Sequence, residues 1–154
     1  MFDNLVFQAI KSQMGSTVPF AKHLGLELTE VGAGTAQAKL PDEKFNNNHI
    51  GAQHAGALFT AGETASGAAV AGVLGQRILS LRTVVKDAQI RFLKVARGAI
   101  LANAVVSGDA KGIANSIDDA GKAEFAVDVS LVDQSGTVVA EMTVNWHVSK
   151  REKK

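Results

Sequence analysis

Between Asn46 and Glu63 the chain reads NNNHIGAQHAGALFTAGE, and four of these residues have side chains that can do chemistry together. Asn48 offers an amide, His49 and His54 offer imidazoles, and Glu63 offers a carboxylate. From Ala55 to about Leu74 the residues are nearly all small and apolar, and Glu63 is the only charged one. That run predicts a long helix beginning just after His54. The first turn of such a helix carries backbone N–H groups with no intrahelical acceptor. At Ala55 and Gly56 they suit a developing oxyanion. A carboxylate among packed neighbours such as Phe59, Gly62, Gly67 and Val70 needs a partner or a task. Each residue also has a plain structural reading: Glu63 as an exposed helix acid, Asn48 as loop chemistry shared with Asn46 and Asn47, His54 as a cap on its own turn. There is no cysteine, which removes disulfides, thiolate metal sites and thiol nucleophiles together.

The elements that must position these groups follow from periodicity. Phe2, Leu5, Val6, Ala9 and Ile10 recur at helical spacing and predict a short amphipathic helix. In STVPFAKHLG, Thr17 can cap, Pro19 fits a first turn and Gly25 can terminate, which predicts one or two helical turns. From Leu26 to Leu40 the pattern alternates as a strand, interrupted by Gly32-Ala33-Gly34 as at a bulge or bend. Strands are expected over Leu81–Val95, Ala99–Ser107, around Phe125–Leu131, and over Val138–Val148, where the alternation is cleanest. SGDAKG reads as turn material and Asp133–Gly136 as a hairpin turn. A helix apolar nearly all round must be buried, and a curved antiparallel sheet around it is the simplest cover. Gly56, Gly62, Gly67 and Gly72 cost helix propensity, about 1 kcal/mol each relative to Ala. They permit close approach by the sheet or by a second copy of the helix.

Composition narrows the classes of function. The 154 residues suit one domain, 1–154, and a net charge of +1 makes no electrostatic case for nucleic acid. The N-terminus does not read as a signal peptide, and Glu63, Thr60, Thr64, Ser66 and the glycines argue against a membrane span, so a cytoplasmic protein is expected. There is no P-loop, no GxSxG, no HExxH and no metal-ligand pattern. His23 reads as a helix-end residue, His147 as an outward strand residue, and the last five residues as a solvated tail.

The positions Asn48, Gly51, His54, Ala55, Gly56 and Glu63 resemble the motif of hotdog-fold thioesterases. That motif runs Asn-x-x-Gly-x-x-His-Gly-Gly, with an acid nine residues after the His. The resemblance is to the phenylacetate-pathway (PaaI-like) group or a closely related uncharacterised bacterial branch, and it covers nearly the whole chain. Ala55 replaces the first glycine, and Glu63 stands where many PaaI-like members have Asp. Val84–Gly98 resembles the family's strand after the helix, with Val95 where Pro is frequent.

The resemblance implies an α+β hotdog fold, a five-stranded antiparallel sheet wrapped around the long central helix. It implies an acyl-CoA thioesterase without a cofactor, CoA being part of the substrate; the partner is an acyl-CoA or acyl carrier protein thioester. The Ala55 N–H would polarise the thioester carbonyl with Gly56 nearby, at the helix start that His54 opens. Asn48 would position thioester or water. Glu63, from the other subunit of a homodimer or dimer of dimers, would act as general base or nucleophile. Arg91, Lys94 and Arg97 are candidates for the CoA phosphates, or plain surface charges. Phe45, Leu58, Phe59 and Phe92 are candidates to line the pocket. Two alternatives stay open. One is a non-catalytic protein that binds an acyl-CoA or lipid-like ligand. The other is a hotdog dehydratase or hydratase, whose His-to-acid spacing of fourteen residues is met by His49 and Glu63, though without the prolines of that motif.

Overall fold

A computed structural model of the protein describes residues 2–152. The chain runs α1 (Phe2–Thr17), α2 (Pro19–His23), β1 (Glu27–Gly32), β2 (Thr35–Leu40), a short 3-10 turn Lys44–Asn46, and α3 (Ala55–Leu74). It continues through a second 3-10 turn Gly75–Ser80, β3 (Leu81–Phe92), β4 (Ile100–Val106), α4 (Ala110–Ala120), β5 (Lys122–Val132) and β6 (Val138–Lys150). The strands form one antiparallel sheet in the order β1-β2-β4-β5-β6-β3. α3 lies in its curve, packed chiefly on β2 and β4, and it barely reaches β3. This is the hotdog arrangement, a long central helix inside an antiparallel sheet.

The sheet has six strands rather than five. The Gly32-Ala33-Gly34 interruption is a tight hairpin turn, not a bulge within one strand. Gly34 takes φ of +86°, a left-handed conformation open to glycine at little cost. The chain therefore folds back, and Glu27 faces Lys39 across the resulting pair.

A further element was not expected. SGDAKG does not simply turn: Asp109 caps α4, its Oδ1 accepting from the Gly112 N–H at 2.7 Å. Gly121 closes the helix in a left-handed conformation. Ile113 and Ile117 bury one face of α4 against the core. At the N-terminal end α1 continues to Thr17, and α2 is capped by Val18 with no side-chain bond, so Thr17 ends one helix instead of starting the next. Pro19 does sit in the first turn of α2.

The core is one cluster. Met142, Val144, Trp146 and Val148 point inward from β6, and Ala102 and Ala104 from β4. Burying a Val, Leu or Met side chain fully contributes about 1.5–3 kcal/mol. α3 brings little volume of its own, mostly Ala and Gly. Its small residues matter where the sheet comes closest. A Cβ on Gly72 would stand 1.9 Å from the Gly32 carbonyl oxygen, so the hairpin backbone occupies that space. At Gly67 the nearest atoms belong to the Trp146 ring at 3.4 Å, an ordinary contact.

These two glycines should behave differently. Gly72→Ala should lower stability by at least the ~1–3 kcal/mol of core overpacking, because a backbone carbonyl has to move. Gly67→Ala should change stability by less than ~1 kcal/mol, since better helix propensity offsets the added contact. Thermal melts of both variants against the parent check the pair.

Candidate active site

The loop that delivers the chain to α3 is built from side chains that bond to backbone. Asn46 is buried, and its Nδ2 donates to the Leu24 carbonyl at 2.9 Å. Gln53 is also buried; its Nε2 donates to the carbonyls of Pro41 (3.0 Å) and Gly98 (2.8 Å), and its own N–H to Ala96. Gln53 thus ties the loop before α3 to the segment after β3. Nothing in the sequence marked it out, because a glutamine between Ala52 and His54 carries no periodic or motif signal. The Oδ1 of Asn46 and the Oε1 of Gln53 are buried acceptors without a partner among the described residues.

Asn48 turns its own loop. Its Oδ1 accepts from the N–H groups of Ile50 (3.1 Å) and Ala52 (3.0 Å). The loop-chemistry reading of Asn48 therefore holds for its oxygen. Its Nδ2 has no partner among the described residues and remains a donor.

His54 is the N-cap of α3. Its Nδ1 accepts from the Gly56 N–H at 2.9 Å, and its carbonyl accepts from Ala57 and Leu58. Gly56 is accordingly not a free oxyanion donor: the imidazole already holds its N–H. Of the first four N–H groups of α3, that of Ala55 alone has no partner among the described residues. Ala55 is exposed and opens onto a cavity of about 420 Å³. Asn48 and Lys94 also line it, and its apolar wall includes Ile50, Leu58, Phe92 and Val95.

Of the expected lining residues, Leu58 and Phe92 face this cavity while Phe45 and Phe59 do not. The basic residues divide. Lys94 lines the cavity, and Arg97 reaches toward the Gly51 carbonyl beside it, at 3.4 Å. Arg91 belongs to the opposite face of the sheet, in a groove with Glu141, its cross-strand partner on β6. Strand parity separates it from Phe92, the next residue. Within one chain Arg91 therefore does not join Lys94 and Arg97. His49 is exposed and stands outside the cavity lining. His23 ends α2, and His147 bonds Glu124 on the outer face.

Glu63 is half-buried on α3 and bonds to no side chain among the described residues. It does not line the cavity at Ala55. Eight residues of helix separate the two, about 12 Å along the axis at 1.5 Å per residue. Burial pushes its carboxyl above the ordinary value of 4.5. Two groups could offset that shift, the Asn48 amide and the dipole of α3. Neither does so within the chain, since Asn48 bonds its own loop and the dipole acts mainly on the first turn. The turn of α3 that carries Glu63 is nevertheless fixed. The Ser66 hydroxyl donates to the Glu63 backbone carbonyl at 2.7 Å and accepts from Trp146 Nε1 at 3.1 Å. Sequence reasoning did not find this chain from β6 to the helix.

An antiparallel sheet around a long helix, with a ligand-sized cavity at the head of that helix, defines the hotdog class. Solved structures agree. One is a Pseudomonas aeruginosa protein of unknown function, described as a "Probable Thioesterase". It is 27% identical, with a TM-score of 0.82 over 94% of this chain and 95% of that one. The PaaI protein of the Escherichia coli phenylacetic acid degradation operon is 20% identical, with a TM-score of 0.74 over 97% and 96%. A Chlorobaculum tepidum protein of unknown function is 15% identical, with a TM-score of 0.85 over 96% of each chain. The sequence matches no curated protein. The chain belongs to the DUF4442 family, a domain of unknown function, whose model matches residues 7–148.

Because the folded state holds the Glu63 proton more tightly than the unfolded state, stability should fall as pH rises through the folded pKa. Glu63→Gln removes that dependence. Its melting temperature should exceed the parent's at pH 8, and the gain should vanish below the ordinary value of 4.5, where both states are protonated. Melting curves across this pH range check it; a gain that does not depend on pH would refute it.

Proposed function

We propose that the protein is a hotdog acyl-thioester hydrolase that acts as a homodimer, most simply on acyl-CoA. One observation carries the reading: Ala55 holds an unpaired N–H at the head of α3 and opens onto a cavity with largely apolar walls. A thioester carbonyl oxygen seated there accepts from Ala55, and Asn48 Nδ2 supplies a second donor to that oxygen or to the attacking water. Lys94, with Arg97 beside the loop, offers positive charge for the phosphates at the cavity mouth.

Glu63 stands too far along its own helix to serve this cavity, so the acid comes from a second copy. β3 supports such pairing. It is an open sheet edge, and Phe92 and Val85 on it are 50% and 37% exposed. As general base, Glu63 takes a proton from water while the water oxygen adds to the carbonyl carbon. The oxyanion rests on the Ala55 N–H, the C–S bond breaks, and the proton on Glu63 passes to the departing thiolate. As nucleophile, the carboxylate itself displaces the thiolate, which takes its proton from solvent, and water then hydrolyses the mixed anhydride. Both routes require ionised Glu63. The second reading is a ligand-binding protein without turnover, and it is favoured by the absence of any acid in the lining of the cavity within one chain.

Glu63→Gln should lower kcat for thioester hydrolysis by at least ~10²-fold with little change in KM. Asn48→Ala should lower it less, because the Ala55 N–H remains. The parent should sediment as a dimer and lose specific activity on dilution below its dissociation constant. A Glu63→Gln variant as fast as the parent defeats the catalytic assignment. Saturable acyl-CoA binding without turnover favours the binding reading.

A further inference from the structure

α3 is covered on every side but one. From Ala55 to Gly72 only Ala55, Gly56, Phe59 and Glu63 are not buried. Ala55, Phe59 and Glu63 follow one another at intervals of four, so they lie along one side of the helix. Beyond Glu63 that side is closed, because Gly67, the next in the series, meets the Trp146 ring. The bare stretch is thus about two turns long, with Phe59 at its middle and about 6 Å of helix to either end. Phe59 is the only aromatic residue on α3, and it is 36% exposed. A ring of that size gains most where it is covered.

The bare stretch runs beside the open edge of the sheet. At its start, Ala55 shares a cavity with Phe92, the last residue of β3. Near its end, Met142 Sδ lies over Gly62, and the strand neighbour of Met142 is Ile90 of β3. A second copy that pairs along β3 therefore brings its own α3 alongside. A two-fold axis that sets the β3 strands antiparallel sets the α3 helices antiparallel too, and wherever residue i meets j, j meets i. With Phe59 on the axis, Glu63 of each chain stands opposite Ala55 of the other. Charge favours this register. The start of α3 carries the positive end of the helix dipole and the unpaired Ala55 N–H. Glu63 is a half-buried acid with no side-chain partner among the described residues. A register centred on Glu63 would instead oppose two carboxylates on the axis. We infer that two copies meet through α3, with Phe59 against Phe59 of the second copy at the two-fold axis, and that this pair fixes the separation of Glu63 from the other chain's Ala55 in both sites at once. The contact stands on the bare face of α3, and its meaning for catalysis rests on the shared-acid reading above.

The chain has no cysteine, so one substitution installs a single thiol in the full-length protein. Oxidation or a short bismaleimide should join Phe59→Cys to its own copy. At micromolar protein it should do so at least ~10-fold faster than for Lys39→Cys, exposed on β2, because contact raises the effective concentration of the thiols. Ala55→Cys and Glu63→Cys should link when co-expressed and much less when each is alone. Phe59 is exposed within one chain, so Phe59→Glu should fold with the parent's circular dichroism and sediment as a monomer. Phe59→Ala should lower kcat for thioester hydrolysis by at least ~10-fold with KM little changed, and Phe59→Leu should restore most of it, as a positioning role requires. If the linkage pattern appears while no thioester is hydrolysed, or while Glu63→Gln is as fast as the parent, the contact stands and the shared-acid reading falls. A monomeric parent, Phe59→Cys no more readily linked than Lys39→Cys, or Ala55→Cys or Glu63→Cys linking as well alone as together overturns the proposal. So does a Phe59→Glu variant that remains dimeric.

Discussion

The constraint on which the rest depends is the burial of α3. A helix of twenty residues has been placed inside a sheet with so little side-chain volume that backbone meets backbone at Gly72 and the Gly32 carbonyl. That contact sets how closely the β1–β2 hairpin can wrap. The closeness of the wrap in turn leaves the two ends of the helix as the places where the fold opens. At one end is Ala55 with its unpaired N–H; at the other, α1 and the 3-10 turn Gly75–Ser80 leave a largely apolar groove between them. A bulkier helix would stand away from the sheet and would not confine the openings to its ends.

Such a setting is costly for a charge, and Glu63 is the only charged residue on α3. Nothing among the described residues compensates it, whereas an ordinary surface acid such as Glu124 has Lys86 and His147, which bring its carboxyl down to about 2. The contrast is instructive. Glu124 is paired and held ionised, whereas Glu63 has no side-chain partner among the described residues, and its turn of the helix is tied to β6 by the Trp146–Ser66 chain. Burial without a counter-charge holds the Glu63 carboxyl above its ordinary value, so ionising it costs more than at the surface.

Much of this was legible from residue patterns. α3 begins at Ala55 and ends at Leu74 as its run of small residues indicates, and the inward face of β6 is the alternating set from Met142 to Val148. What periodicity could not deliver was any feature that depends on a third dimension. The β1–β2 hairpin looked like one interrupted strand, because a two-glycine break is compatible with a bulge or a turn. α4 was missed because two isoleucines four apart are too few to declare a helix, although Asp109 and Gly121 bracket it. At the candidate site, the residue types singled out Asn48, His54 and Ala55, which the fold brings together at the head of α3, and Glu63, which it leaves outside the cavity there. The spacing alone did not reveal that His54 occupies the Gly56 N–H. Arg91 shows a subtler limit: three residues before Lys94, it is carried to the other face of the sheet by strand parity. Gln53 had no signal at all, since its role exists only in the carbonyls it meets.

The strand order has a consequence for how the chain comes together. β3 borders only β6, and the whole of β4, α4 and β5 is made between them. A nascent chain therefore carries β3 unpaired on both edges while more than a third of the domain is still to come. Long-range pairing of this kind forms slowly and leaves an open template for wrong partners. The middle of β3 answers that hazard: Lys86 sits in a bulge, and Asp87 follows it with a second charge of opposite sign. Irregular geometry and charge at that point discourage indiscriminate strand addition. The same edge that invites a second copy in the finished protein is thus guarded at its centre while the chain is being made.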